Sequence, residues 1–433
     1  MDPALSAVPP RLPRSPLHRH GETLALLLLG VPSAAIGWQI ARAWDLPDWL
    51  PALLAGLLAV LVAAAVAQPR LKELAAAAAV VVLYALPILG AIARWHLVPS
   101  SKALIGDGAY QIQLARNLLM RGVDPYGFDY TGTGLERAPW GQPFPNPALH
   151  HLDYWPGTIV LPLPLQAAFQ FVAGWWDERI WLLVAGAGVF LLLRWLLPGP
   201  AGRVAVLAFF LIPGHNLLAV LGDNDLPMIG LLLAATLAIA RRRFLLAASV
   251  IGLAIATKQT ALIALPVLVA FSFANGVSWR SLARYAGLAA LTVLALIAPF
   301  VVWNASAFVR DTVLYNVGSG AEAYPIQGIG LSSWLLQAGI IRGARDAFPF
   351  LLIQLPLVLA VWVLGWRWLR HHRLAGDATL WMGLAFFVFL FTNRFAQPTY
   401  LLLGIELIAV GVIGRLAAAR RGPVEVEFAQ SAA

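Results

Sequence analysis

Leu50-Pro-Ala-Leu-Leu-Ala-Gly-Leu-Leu-Ala-Val-Leu-Val-Ala-Ala-Ala-Val-Ala67 carries no charge, and Gln68-Pro-Arg-Leu-Lys72 follows at once. An apolar run long enough to cross about 30 Å of hydrocarbon, closed by proline and two cations, is a membrane span with a basic anchor. The pattern recurs on both sides. Before it, Thr23–Ala43 is too long for a signal-peptide core and has no cleavage site, so it reads as a signal anchor. After it, apolar segments lie near 74–95, 157–174, 180–197, 204–221, 225–240, 244–257, 259–274, 285–303, 348–366, 378–392 and 399–414. Several are shorter than the roughly 20 residues an upright span needs. Such helices are tolerated where protein or a water-filled cavity surrounds them.

Composition agrees. Of the 433 residues, 60% are hydrophobic and only 12% charged, against about 25% charged in soluble domains. Disorder, a coiled coil and an ordinary cytosolic enzyme are excluded. Cysteine is absent, which removes disulfides, thiolate metal sites and a cysteine nucleophile. The net charge of +9 sits in clusters beside apolar runs, as topological anchors do, and no basic–aromatic stripe suggests nucleic acid.

Arg70/Lys72, Arg241–Arg243, Arg280/Arg284, Arg367/Arg370/Arg373 and Arg415/Arg420/Arg421 mark cytoplasmic turns. The expected architecture is an all-α polytopic membrane protein, a bundle of 12–13 membrane segments over 23–416. A disordered basic tail (1–22) and a short C-terminal tail (417–433) flank it. Two long loops, 96–156 and 304–347, fall on the extracytoplasmic side. Thirteen crossings would leave the C-terminus outside, against its arginines. One segment between 157 and 240 therefore fails to cross or is two half-helices, with 157–174 (Pro162, Pro164) and 204–221 (Pro213–Gly214) as the choices.

The first long loop holds the chemistry. Asp107 precedes an amphipathic stretch, Gly108–Arg121, with Ile112, Leu114, Leu118 and Leu119 on one side and Gln113, Arg116 and Arg121 largely off it. Asp107 is placed to cap that helix or to take a proton from a bound hydroxyl. His150, His151 and Asp153 suggest a metal at first sight, but adjacent histidines on an extended loop rarely face one centre and no third nitrogen or sulfur ligand is spaced for it. Stacking or hydrogen bonding to substrate suits them better; neither metal nor cofactor is expected. Gly222-Asp-Asn-Asp225 opens a helix, which Asp225 or Asn224 caps unless these residues face a cavity. Lys258 interrupts apolar sequence, so it faces a cavity or snorkels to the interface. Arg394 stands against the positive-inside trend and invites a phosphate or carboxylate. Tyr315–Tyr324 and Gly328–Ser332 read as a mobile, glycine-rich lid or as a plain surface linker, and Asn304-Ala-Ser306 is a sequon in form only.

In order and spacing these positions resemble the GT-C superfold glycosyltransferases that use polyprenyl-phosphate sugars. The closest likeness is to the polyprenyl-phosphate-mannose-dependent mannosyltransferase branch. The matching motifs are Asp107-x-x-Tyr110, Gly122-Val-Asp124-Pro-Tyr126, Tyr154-Trp-Pro156, Gly222–Asp225, Gly252–Lys258 and Arg394–Tyr400. An extra hairpin of spans precedes the loop, Trp155 stands where relatives have proline, and Asp223 where they have glutamine. The resemblance implies an inverting transfer to a lipid or glycan acceptor, with Asp107 as general base. Lys258 and Arg394 would meet the donor phosphate, with Arg116 in reserve. Tyr110, Asp124, Tyr126, His151, Asp153, Tyr154, Asp225, Gln259, Tyr324 and Tyr400 would bind substrate. It also implies a bacterial inner (plasma) membrane with the active site facing outward. The competing class is a lipid or solute transporter or flippase, which would place charge at mid-membrane and tolerate loss of Asp107. A scaffold subunit would depend on no single loop residue.

Overall fold

The computed structural model describes residues 16–43, 49–98, 105–140, 145–317 and 324–421. The first 15 residues of the basic tail, the last 12 of the chain and the pieces 44–48, 99–104, 141–144 and 318–323 lie outside them. The chain is an all-α polytopic membrane protein. Among the described residues, seven helices are long and apolar enough to cross a membrane, an eighth if one bent pair counts as a span, and five apolar helices are shorter. They are the same thirteen segments the sequence displays.

The N-terminal part is α1 (Pro16–Ala43), α2 (Trp49–Ala67), α3 (Lys72–Val80) and α4 (Leu86–Leu97), the last two joined by a π-turn at Val81–Ala85. Helix α1 starts at Pro16, ahead of the expected Thr23. The loop helix is α5 (Asp107–Met120). Both segments singled out as unable to cross simply are broken. The first is α6 (Pro156–Val160) and α7 (Leu163–Ala173), interrupted just ahead of Pro164. Helix α8 (Glu178–Leu196) follows. The second is α9 (Pro200–Phe210) and α10 (His215–Leu221), which meet at 60° around Pro213–Gly214. Proline supplies no N–H and clashes with the preceding turn, which accounts for both breaks.

Next come α11 (Leu226–Ala240), α12 (Phe244–Thr257), α13 (Leu265–Ala274) and α14 (Trp279–Val309). The second long loop begins later than expected. Asn304 leaves the helical region (φ −155°, ψ 81°) and kinks α14. Its side-chain oxygen then accepts hydrogen bonds from Ala307 N (3.2 Å) and Ser306 Oγ (3.0 Å). The sequon-like triplet is thus an internal helix cap. The helix continues through a π-turn (Arg310–Leu314) into α15 (Tyr315–Val317). Beyond it, β1 (Gln327–Gly328) pairs in parallel with β2 (Phe395–Ala396), tying the expected lid to the segment before the last helix.

The remaining helices are α16 (Leu331–Gln337), α17 (Leu351–Leu369), α18 (Ala375–Phe391) and α19 (Pro398–Arg421). Helices α18 and α19 meet backbone to backbone. A Cβ on Gly383 would come within 2.6 Å of Ile408 N, and one on Gly411 within 2.5 Å of Leu380 N. Small residues permit this approach, which drives helix association where lipid leaves little hydrophobic incentive. At the arginine-rich end, Glu22 and Glu73 bind Arg203 and Arg194, and Arg415 pairs with Asp377. The other end collects α5, the 145–155 loop, the turn 222–225 and the 324–348 segment. The site is there.

Candidate active site

Helix α5 is set by partners far away in sequence. It does not expose its polar residues. Gln113 accepts from Glu178 N at 3.0 Å, and Gln111 donates to the carbonyls of Ala148 (2.6 Å) and His151 (2.8 Å). Arg116 is fully buried. Its guanidinium makes a two-pronged contact with Glu178 (2.6 and 3.0 Å) and also donates to Gln166 Oε1 and Ile159 O, both at 2.8 Å. With its donors committed, Arg116 locks α5 to α6 and α8 and does not stand at a substrate cavity. Removing one partner of such a buried pair typically costs about 3–5 kcal/mol.

Two cavities open beside this layer. The first, about 420 Å³, lies between the start of α5, the 148–154 loop, the turn 222–225, Tyr315, Tyr324 and the start of α19. Asp107 is on its wall. The cap position of α5 is taken by Gly106, so Asp107 opens the helix and does not cap it. Its carboxylate accepts from Gly108 N (2.9 Å) and Asn146 Nδ2 (2.7 Å), which fixes its direction. His151 lines the same cavity. Its Nδ1 lies 3.0 Å from Asp311 Oδ1, while Asp311 also accepts from Gly127 N at 2.8 Å. The neighbouring His150 turns away to the exposed Asp129 at 3.4 Å. Burial pushes Asp153 up to about 6, a rise that Lys258 opposes and Asp107 reinforces. Burial and the adjacent Asp225 likewise push Asp223 up to about 7. These are carboxyls poised near neutrality, as acid–base sites tend to be.

The second cavity, about 540 Å³, is mostly apolar and runs between α17, α18 and the start of α19. Lys258 stands at its polar end. Helix α12 stops there because Lys258 is extended (φ −150°, ψ 126°). Glycine at 157 allows the close fit behind it: a Cβ there would meet Ala256 O at 2.6 Å. The ammonium donates to Asp225 Oδ1 (2.5 Å) and Asn224 Oδ1 (2.8 Å), and lies 5.6 and 5.3 Å from the ring centres of Tyr154 and Tyr400. Gln259 donates to Asp153 O at 3.3 Å, while its buried Oε1 has no protein partner. Arg394 borders this cavity too, yet its guanidinium donates to the carbonyls of Tyr324 (2.6 Å), Asp346 (2.8 Å) and Ala344 (3.3 Å). It organises the 324–346 segment. Asp153, Tyr154, Asp225 and Tyr400 line both cavities, so the two meet at these four residues.

Of the residues the sequence points to, Asp107, His151, Asp153, Tyr154, Asp225, Tyr324 and Tyr400 gather at the polar cavity. Lys258, Gln259 and Arg394 border the apolar one. Four others stand behind the walls. Tyr110 Oη donates to Thr133 O (3.2 Å), Tyr126 Oη to Tyr154 O (2.8 Å), and Asp124 accepts from Tyr126 N (3.0 Å) in a turn; Arg116 is the fourth. The sequence did not single out Asn146 or Asp311, and it marked Tyr315 only as the start of the expected lid. Tyr315 and Asp311 lie on the unforeseen extension of α14, and Asn146 had only the Pro145-Asn-Pro147 turn to mark it.

Residues 153–393 match the family model described as glycosyltransferase family 87. The matched span contains Asp153, Asp225 and Lys258 and stops short of Asp107 at one end and Arg394 at the other. No curated protein and no solved structure gives a significant match to the chain. The match covers more than half of the chain, and with an all-helical membrane bundle and two cavities meeting at its loop end, the protein belongs to glycosyltransferase family 87, a family of membrane glycosyltransferases.

Proposed function

We propose that the protein moves a sugar from a polyprenyl-phosphate donor to a hydroxyl of a lipid or glycan acceptor. The reaction takes place on the extracytoplasmic face of a bacterial inner membrane, with mannose the sugar favoured by the motif resemblance. The observation that carries this reading is the pairing of an apolar cavity, headed by Lys258, with a polar one, walled by Asp107, through four shared residues. A hydrocarbon tail suits the first and a hydroxylated acceptor the second. Nucleotide sugars are cytoplasmic, so chemistry at the far face requires a donor carried through the membrane on a lipid.

In this mechanism Asp107 accepts the proton of the acceptor hydroxyl as its oxygen attacks the anomeric carbon. The bond from that carbon to the phosphate oxygen breaks, and the electron pair leaves with the phosphate. One displacement inverts the anomeric centre. Lys258 faces the charge that grows on the departing phosphate; a preorganised group of this kind is often worth a few kcal/mol. Asn146 and Gly108 hold the base in place, and Asp225 and Asn224 hold the cation.

A photoactivatable polyprenyl phosphate tests the donor assignment. Crosslinks are expected in the peptides spanning 348–354 and 389–395, and excess unlabelled polyprenyl phosphate should abolish them. Crosslinks confined to lipid-facing helices such as α14, insensitive to competition, would remove the apolar cavity as the donor site.

A further inference from the structure

The turn 222–225 sits where the polar cavity meets a buried row of charges. Asp225 is paired with Lys258 at 2.5 Å. Behind the turn, Glu406 on α19 lies 2.7 Å from His215 Nδ1 on α10, and both side chains are buried. Asp223 lines the polar cavity close to both pairs, and its Oδ1 accepts from Asp225 N at 3.0 Å. Among the described residues no lysine or arginine lines that cavity. A Cβ on Gly222 would lie 3.8 Å from Arg179 Cγ on α8, but the guanidinium holds Asp177 (2.6 and 2.9 Å) and Val220 O (3.1 Å). Tyr84, between α3 and α4, sets its ring edge-on to His215, with centroids 5.1 Å apart, and brings no cation.

The two basic groups near Asp223, Lys258 and His215, are thus each matched by another carboxylate. A further carboxylate beside them has nothing to offset it, so ionising it costs both desolvation and repulsion. Burial first, and the Asp225 carboxylate next, push the Asp223 carboxyl up to about 7, with His215 opposing. A neutral carboxylic acid has an O–H to donate, which a carboxylate lacks. The cavity also holds a group that awaits a polar partner. Tyr315 lines it, 3% exposed, and its buried hydroxyl has no hydrogen-bond partner in the protein.

Resting on the transferase reading above, we propose that Asp223 works as a neutral acid whose Oδ2 donates a hydrogen bond to a substrate oxygen in the polar cavity. No proton leaves Asp223 in the reaction. The two carboxyls then divide the work. Asp107, directed by Gly108 N and Asn146 Nδ2, takes the proton, while Asp223 keeps one. Environment alone can set two carboxyls of one site to opposite tasks.

The test compares the purified full-length wild type with Asp223→Asn, using a radiolabelled polyprenyl-phosphate sugar as donor and a membrane lipid extract as acceptor. Asparagine keeps an oxygen for Asp225 N and offers an N–H in place of the acid at every pH. The ratio of variant to wild-type kcat/KM should rise about tenfold, the upper scale of one hydrogen bond, as pH passes through about 7. Taking the ratio cancels the other titrations of the site. Asp223→Ala, which offers no donor, should run about tenfold below Asp223→Asn throughout. A ratio independent of pH overturns the proposal, as does Asp223→Asn transfer no better than that of Asp223→Ala. A second readout needs no turnover. A carboxyl raised from about 3.9 in the unfolded chain to about 7 in the folded one binds more protons when folded. Its contribution to stability therefore falls as pH rises between those values. The Tm of the wild type relative to Asp223→Asn should decline over that window and level off above it. A difference that stays level overturns the proposal even if no donor is found. Absence of transfer with the decline present removes the transferase reading and, with it, the donated hydrogen bond.

Discussion

Asp107→Asn should lower sugar transfer by at least about two orders of magnitude, since general-base catalysis contributes about 10²–10⁴-fold. The substitution keeps the size of the side chain, and an amide oxygen still accepts from Gly108 N, but a neutral amide takes up no proton. One local conflict has to be separated from that effect. The amide of Asn146 donates to Asp107 Oδ2 at 2.7 Å, and an asparagine at 107 cannot accept from both Gly108 N and Asn146 Nδ2 with its single oxygen. Asn146→Ala removes the same hydrogen bond and spares the base. It should cost no more than about tenfold, the scale of one hydrogen bond. Comparable losses in the two variants would mean that Asp107 is a structural anchor for the 145–149 turn. The base would then be sought at Asp153 or Asp225.

Lys258→Ala should depress donor use by about 10²–10³-fold, the range seen when one preorganised group facing developing charge is removed. Alanine also strands Asp225, which is 2% exposed and 2.5 Å from the ammonium. Lost transfer alone is therefore ambiguous. The double variant Lys258→Met/Asp225→Leu has no stranded charge and should fold about as stably as the wild type, because apolar replacement of a buried pair is often neutral. Its transfer should remain low. Lys258→Arg should recover part of the activity, since charge is kept while geometry changes. Near-native transfer by the double variant would make Lys258 a structural ion-pair partner and nothing more.

The spans were legible because a membrane solvent leaves a long apolar signature. Of the two segments between which the sequence left the choice open, the one with Pro213–Gly214 is the sharply bent pair. Segment 156–173, despite its interruption at Pro162, is long and apolar enough to count among the seven spans. The late end of α14 was not legible. Asn304 breaks the helix and then caps its continuation, and both acts look alike in sequence. The amphipathic reading of α5 failed for a similar reason. Gln113 and Arg116 look like a solvated face until Glu178 and Gln166, 50 to 65 residues on, fill the space opposite them. Arg394 shows the limit most clearly. An unexpected arginine implies an anion, but its actual partners are backbone carbonyls, which every residue carries and no sequence advertises. Lys258, by contrast, was legible as a cavity residue because a lysine in apolar sequence has few other places to go. Asp107, marked by its place ahead of a helix, lies on the wall of the polar cavity, although the cap itself is Gly106.

The most direct test of the donor claim offers the purified protein a radiolabelled polyprenyl-phosphate sugar and, in parallel, the corresponding nucleotide sugar, with membrane lipids and envelope glycans as acceptors. The account predicts label transfer from the polyprenyl-phosphate sugar alone, with inverted configuration at the anomeric carbon. Transfer from the nucleotide sugar, or movement of the lipid across the bilayer with no label passed on, would contradict it.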